Sequence, residues 1–320
     1  MHTVLQRIYE IGIVPVIAID DAALAVPLGK ALAAGGIPAA EVTFRTAAGE
    51  EAIRQIAAGC PEVLVGAGTV LNVEQGRRAI AAGARYIVSP GYNEELVAFC
   101  QEQGVPVLPG CVNASDMTRA VNAGLEVVKF FPAEQSGGLA FLKALAPVFP
   151  KLRFMPTGGV NAQNLLEYLR YERIVACGGT WMVKKDLIQG ERWADITRIC
   201  QEAVQSMLGF SLHHVGMNCA DEADAMRTAD AISACFGFSQ KSGGSSLFVD
   251  TCVECMKAPF RGTHGHIAIG VNNVDRAVYH MLQQGVRFDE GTKKTDDTGR
   301  TKAIYLADEI GGFAFHLVQK

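Results

Sequence analysis

The chain has 320 residues, 49 % of them hydrophobic and 19 % charged, with a net charge of −4 and a mean hydropathy of +0.17. This length exceeds the usual single domain, and the composition excludes a disordered chain. The mild charge, without a basic run or basic–aromatic alternation, points away from nucleic acid and acidic lipid and toward small soluble partners.

The N-terminal stretch MHTVLQRIYEIGIVPVIAID has no charged leader ahead of an unbroken apolar core, so an unexported protein is expected. No apolar run reaches the ~18 residues of a membrane helix. Nine cysteines, an odd number in no secreted-type framework, fit free thiols in a reducing cytoplasm. Cys252 and Cys255 have CxxC spacing but stand alone in a strand-like run, which favours packing over metal or redox chemistry.

Up to about residue 208, β-rich runs alternate with Ala-rich amphipathic segments. The predicted strands are 14–19, 39–44, 64–70, 86–90, 106–110, 127–132, 153–159 and 174–181. Between them lie helical segments such as AALAVPLGKALAAGG, VEQGRRAIAAGA, EELVAFCQEQG, ASDMTRAVNAG and AQNLLEYLRY, several ending on a capping glycine. Eight strand–helix units predict an α/β domain, a closed (β/α)8 TIM barrel over 1–208. An open doubly wound sheet is disfavoured because AIDDAALAV, the first strand-to-helix turn, has no glycine-rich fingerprint.

After the helix ADITRICQEAVQSML the texture changes. Residues 209–320 read as an α+β domain of two βαβββ modules. The first runs through SLHHVGMNC, ADAMRTADAISACFG, FSQKS, SLFVDT and VECMKA, and the second through GHIAIGV, NVDRAVYHMLQQG, VRFDEG, KAIYLAD and GFAFHLVQ. Each half is too small for a good core, so the two are expected to pair.

Barrel enzymes carry their chemistry at the C-terminal ends of the strands. In EVTFRT, period-two alternation puts Glu41, Thr43 and Arg45 on one face, where buried charges must pair at the rim or work. Lys129 lies between Val128 and Phe130 in VVKFFP. Desolvation there favours the neutral amine that attacks a ketone, although its stem can instead pack while the amine reaches water. Thr69 follows glycines that let a substrate approach the backbone. TGGV and CGGTW end the last two strands, where barrels hold phosphate on glycine N–H groups and a helix N-terminus.

Together EVTFRT, VGAGTVLN, IVSPG, VKFFPAE, PTGGV and CGGTW resemble the 2-dehydro-3-deoxyphosphogluconate aldolase / 4-hydroxy-2-oxoglutarate aldolase family. The resemblance implies a trimeric class I aldolase that needs no metal or other cofactor and cleaves a phosphorylated keto acid, 2-keto-3-deoxy-6-phosphogluconate, to pyruvate and glyceraldehyde 3-phosphate. It makes Lys129 the Schiff-base lysine and Glu41 the acid/base. Arg45 and Thr69 would hold the pyruvate carboxylate, and Gly158, Gly159, Gly179 and Thr180 the phosphate, with Thr180 where the family often has Ser. Alternatives with the same imine chemistry are 4-hydroxy-2-oxoglutarate and the phosphogalactonate epimer; a metabolite-binding regulator is the non-enzymatic one.

The second domain is similar to the vicinal-oxygen-chelate fold of glyoxalases and extradiol dioxygenases. The resemblance puts His214, Glu254, His266 and His316 at the ligand positions for a divalent metal, with His316 where glyoxalases usually have Glu and so without that base. A ligand-free module with hydrogen-bonded polar strand residues is the other reading. Alternation predicts that His213 faces away from His214.

Overall fold

The apolar runs of the first part become short parallel strands in the computed structural model, which describes residues 1–320. Contacts divide the chain into Met1–Met207 and Leu208–Lys320.

The first unit contains β1 (Ile13–Ile17), β2 (Ala39–Thr43), β3 (Leu64–Gly68), β4 (Ile87–Val88), β5 (Val107–Leu108), β6 (Val127–Phe130), β7 (Arg153–Pro156) and β8 (Cys177–Gly179). Its helices are α1 (Thr3–Ile11), α2 (Ala25–Ala34), α3 (Gly49–Gly59), α4 (Val73–Ala81), α5 (Glu94–Glu102), α6 (Ala114–Asn122), α7 (Gly138–Leu145), α8 (Leu165–Leu169), α9 (Lys185–Gln189) and α10 (Trp193–Leu208). Three asparagines start the helices after β3, β4 and β5: the side chains of Asn72, Asn93 and Asn113 accept from the backbone N–H of Gln75, Leu96 and Asp116. The strands pair in the order β5-β4-β3-β2-β1-β8, with β6 beside β7. Bridges from Gly110 to Lys129 and from Thr157 to Gly178 join the two pieces, so the parallel sheet closes on itself like a barrel.

Val14, Leu64, Tyr86, Val88, Leu108, Val127 and Met155 fill one end of this ring, together with Val4, Leu5 and Ile8 of α1. Helix α1 is not among the segments expected from the sequence. Its apolar residues cover the end where the strands begin, which leaves polar interior residues to the end where they finish.

The second unit is mostly β. Its elements are β9 (Ser211–Asn218), α11 (Glu222–Phe236), β10 (Gln240–Ser242), β11 (Ser246–Val249), β12 (Val253–Met256), β13 (Gly265–Val271), α12 (Val274–Gln283), β14 (Phe288–Thr295), β15 (Thr301–Leu306) and β16 (Phe313–Gln319). The order strand, helix, three strands therefore occurs twice. One eight-stranded sheet results, β10-β11-β12-β9-β13-β16-β15-β14. The first and last strands of both modules thus lie side by side at its centre. Cys255 packs with Cys219, Ala225, Ala229, Leu247 and Val249 in the core under α11, while Cys252 is exposed.

Candidate functional site

Closure of the first sheet brings together two charged groups 88 residues apart in the chain: Lys129 Nζ on β6 lies 3.0 Å from Glu41 Oε1 on β2. Lys129 is 5 % exposed and Glu41 is fully buried. A charge pair this deep gains little net stability, because desolvation offsets most of the attraction. The other carboxylate oxygen, Glu41 Oε2, is buried without a hydrogen-bond partner. An acceptor left open in an otherwise apolar interior is what a bound water or substrate hydroxyl would complete. Room for the carboxylate comes from Gly68 on the neighbouring strand, whose Cβ would stand 2.4 Å from Glu41 Oε1. The glycines before Thr69 were expected to admit substrate; this one admits a side chain. Beneath, the Tyr86 hydroxyl donates to Ala40 O at 3.0 Å, and burial, reinforced by Glu41, pushes its phenol well up.

Arg45 departs from the expected alternation. Strand β2 ends at Thr43, whose hydroxyl donates to Ile17 O at 2.8 Å, and Arg45 is exposed in the turn beyond. The cation paired with Glu41 is Lys129, so the carboxylate's burial is explained without the arginine. Thr69 follows β3 with φ 58°, a left-handed conformation that a β-branched residue rarely adopts and that tends to persist only where the surroundings enforce it.

Gly158 and Gly159 follow β7 with φ of 95° and 81°, and their N–H groups donate to no protein acceptor. The Gly159 carbonyl accepts from the side-chain amides of Asn161 (3.0 Å) and Asn164 (3.2 Å). The helix expected over AQNLLEYLRY (162–171) is therefore shorter: these asparagines hold a turn, and α8 begins only at Leu165. Gly179 closes β8 and Thr180 is exposed just beyond it.

In the second unit the four central strands converge their polar side chains. His266 Nε2 is 3.0 Å from Glu254 Oε2 and 3.2 Å from His214 Nε2, and His214 Nε2 is 3.3 Å from the same Glu254 oxygen. Nitrogens of His214, His266 and His316 lie within 4.8 Å of one another. Burial pushes the Glu254 carboxyl up, but hydrogen bonds from His214, His266 and Ser246 outweigh it and bring the group well below its ordinary range. Burial, with His266 and His214 close by, pushes His316 down to about 3. His213 does not simply turn away. The register with β13 slips between Leu212 and His214, a bulge that brings His213 Nδ1 to 2.9 Å from His214 Nδ1.

Residues 4–199 match the family model for KDPG and KHG aldolase. The 2-dehydro-3-deoxy-phosphogluconate aldolase of Treponema pallidum is 45 % identical over 205 residues, covering 64 % of this chain and 98 % of that protein. Its counterpart in Haemophilus influenzae is 43 % identical over 201 residues, covering 63 % and 95 %. Among solved structures, the KDPG aldolase of Legionella pneumophila, with pyruvate captured as a covalent carbinolamine, aligns with a TM-score of 0.61 and 38 % identity over 62 % of this chain and 97 % of that one. No helix is long and apolar enough to cross a membrane. With more than half of the chain matched, and with a buried lysine–carboxylate pair on β2 and β6 inside the ring, the protein belongs to the KDPG and KHG aldolase family.

Proposed function

We propose that Met1–Met207 is a (β/α)8-barrel class I aldolase that cleaves 2-keto-3-deoxy-6-phosphogluconate into pyruvate and glyceraldehyde 3-phosphate. The observation that carries this is the 3.0 Å contact between Lys129 Nζ and Glu41 Oε1 inside the ring. Lys129 gives up a proton, its neutral amine attacks the C2 ketone to form a carbinolamine, and uptake of a proton as the hydroxyl leaves as water gives a protonated imine. Glu41 takes the proton of the C4 hydroxyl, the C3–C4 electron pair moves into the imine, and the aldehyde departs. The enamine regains a proton at C3, and water then releases pyruvate and restores Lys129. The imine is itself the electron sink, so the reaction requires no cofactor. Arg45 and Thr69 hold the carboxylate, and Gly158, Gly159, Gly179 and Thr180 the phosphate, in a trimer like that which the family resemblance implies.

A coupled assay of pyruvate release tests this over the phosphogluconate-derived keto acid, its galactonate epimer and 4-hydroxy-2-oxoglutarate. The first is expected to react fastest, at the same rate with chelator present. A faster rate on the unphosphorylated acid would transfer the proposal to that substrate, and no release from any would favour a metabolite-binding regulator.

The second unit supports a separate reading as a vicinal-oxygen-chelate module holding a divalent metal on His214, Glu254, His266 and His316. Both ring nitrogens of His316 are buried without partners, which is costly for a polar ring unless one of them is ligated. A bound cation would supply charge and ligand coordination there. Metal analysis of the full chain is expected to find a stoichiometric divalent ion, lost in His266→Ala. A parent protein that stays metal-free after incubation with zinc, nickel, iron(II) and manganese would remove the reading.

A further inference from the structure

The Gly158–Gly159 loop is braced from below by two residues that no step of the chemistry uses. Glu134 lies just past β6, and its backbone N–H donates to Gly158 O at 3.1 Å. Its stem lies under Gly159, where an added Cβ would come within 2.4 Å of Glu134 Cγ, so the loop rests directly on this side chain. The carboxylate is fixed in turn by Tyr168 of α8, whose hydroxyl donates to Glu134 Oε1. Tyr168 is 1 % exposed and cannot swing away without leaving the core. The two oxygens meet over Gly138, the first residue of α7; a Cβ there would stand 3.3 Å from each. Asn161 and Asn164 hold the Gly159 carbonyl. What remains unbound on the loop is the pair of N–H groups.

We infer that the Tyr168–Glu134 pair is a positioning device for the phosphate of the substrate, fixing the Gly158–Gly159 amides without touching the reacting carbons. A carboxylate near a dianion site is otherwise unfavourable, and the tyrosine both restrains it and occupies one of its oxygens. This inference rests on the phosphate assignment proposed above. It separates two halves of substrate recognition, because 4-hydroxy-2-oxoglutarate makes the same imine but carries no phosphate.

The test is Tyr168→Phe, which keeps the ring in the core and removes only the hydroxyl. Losing a hydrogen bond to a charged group is expected to raise KM for the phosphorylated keto acid about tenfold, with kcat within about twofold. The inhibition constant of inorganic phosphate should rise in step, while KM for 4-hydroxy-2-oxoglutarate and borohydride trapping of pyruvate stay unchanged. Glu134→Gln, whose amide oxygen still accepts from Tyr168, should keep KM at or below the parent value. An unchanged KM for the phosphorylated acid in Tyr168→Phe would overturn the inference, as would an equal rise for both acids. The phosphate assignment fails separately if the parent protein neither prefers the phosphorylated acid nor is inhibited by phosphate.

Discussion

Replacing Lys129 by arginine will stop carbon–carbon cleavage and leave no borohydride-stable adduct with pyruvate. A guanidinium stays protonated at any working pH, so it cannot condense with a ketone. The loss should reach background, on the order of 10⁶-fold or more. Arginine is preferable to alanine because Glu41 is fully buried. Alanine would strand that charge at a cost of about 3–5 kcal/mol and confuse a folding defect with a chemical one. The larger side chain carries its own packing cost, about 1–3 kcal/mol, which a thermal melt will register. Peptide mapping of the adduct in the parent protein completes the test. Lys184 and Lys185 are also near the end of β8, but both are exposed. If the adduct lay on either of them, or if the arginine variant still released pyruvate at the parent rate, Lys129 would not be the nucleophile.

The sequence carried the barrel-like part because apolar runs bounded by glycine and asparagine can become little else than buried strands and capped helices. Helix α1 was legible too: Val4, Leu5, Ile8 and Ile11 follow a helical period and Gly12 ends it in the left-handed region. Other differences have deeper causes. Periodicity does not say where a strand stops, and Arg45 continues the alternation of Glu41 and Thr43 although β2 ends two residues earlier. Asparagine is a helix-start signal, yet the amides of Asn161 and Asn164 are engaged by the Gly159 carbonyl, and the helix waits until Leu165. Alternation cannot foresee the extra residue of a bulge, which is why His213 reaches its neighbour's ring. The Lys129–Glu41 contact depends on ring closure across three intervening strands on either side, a fact of topology rather than of local pattern.

Changing Glu41 to glutamine will slow cleavage by about 10²–10⁴-fold, the usual contribution of a positioned acid/base, yet pyruvate will still be trapped on Lys129. The amide is isosteric and its oxygen can still accept from Nζ, but it cannot take up the C4 hydroxyl proton or deliver one to the enamine. Its NH2 would fall where Oε2 now lies without a partner, an unmet donor worth about 1–3 kcal/mol of stability rather than a collapse of the site. Imine formation depends chiefly on a free amine and a ketone within reach, so trapping and cleavage should separate. Exchange of pyruvate methyl protons with heavy water offers a sharper measurement, because it needs the enamine and a proton carrier but no aldehyde. Exchange should fall by the same factor as cleavage if one carboxylate serves both steps. Exchange at the parent rate alongside slow cleavage would mean that another group carries the C3 proton, and Glu41 would keep only the step at the C4 hydroxyl.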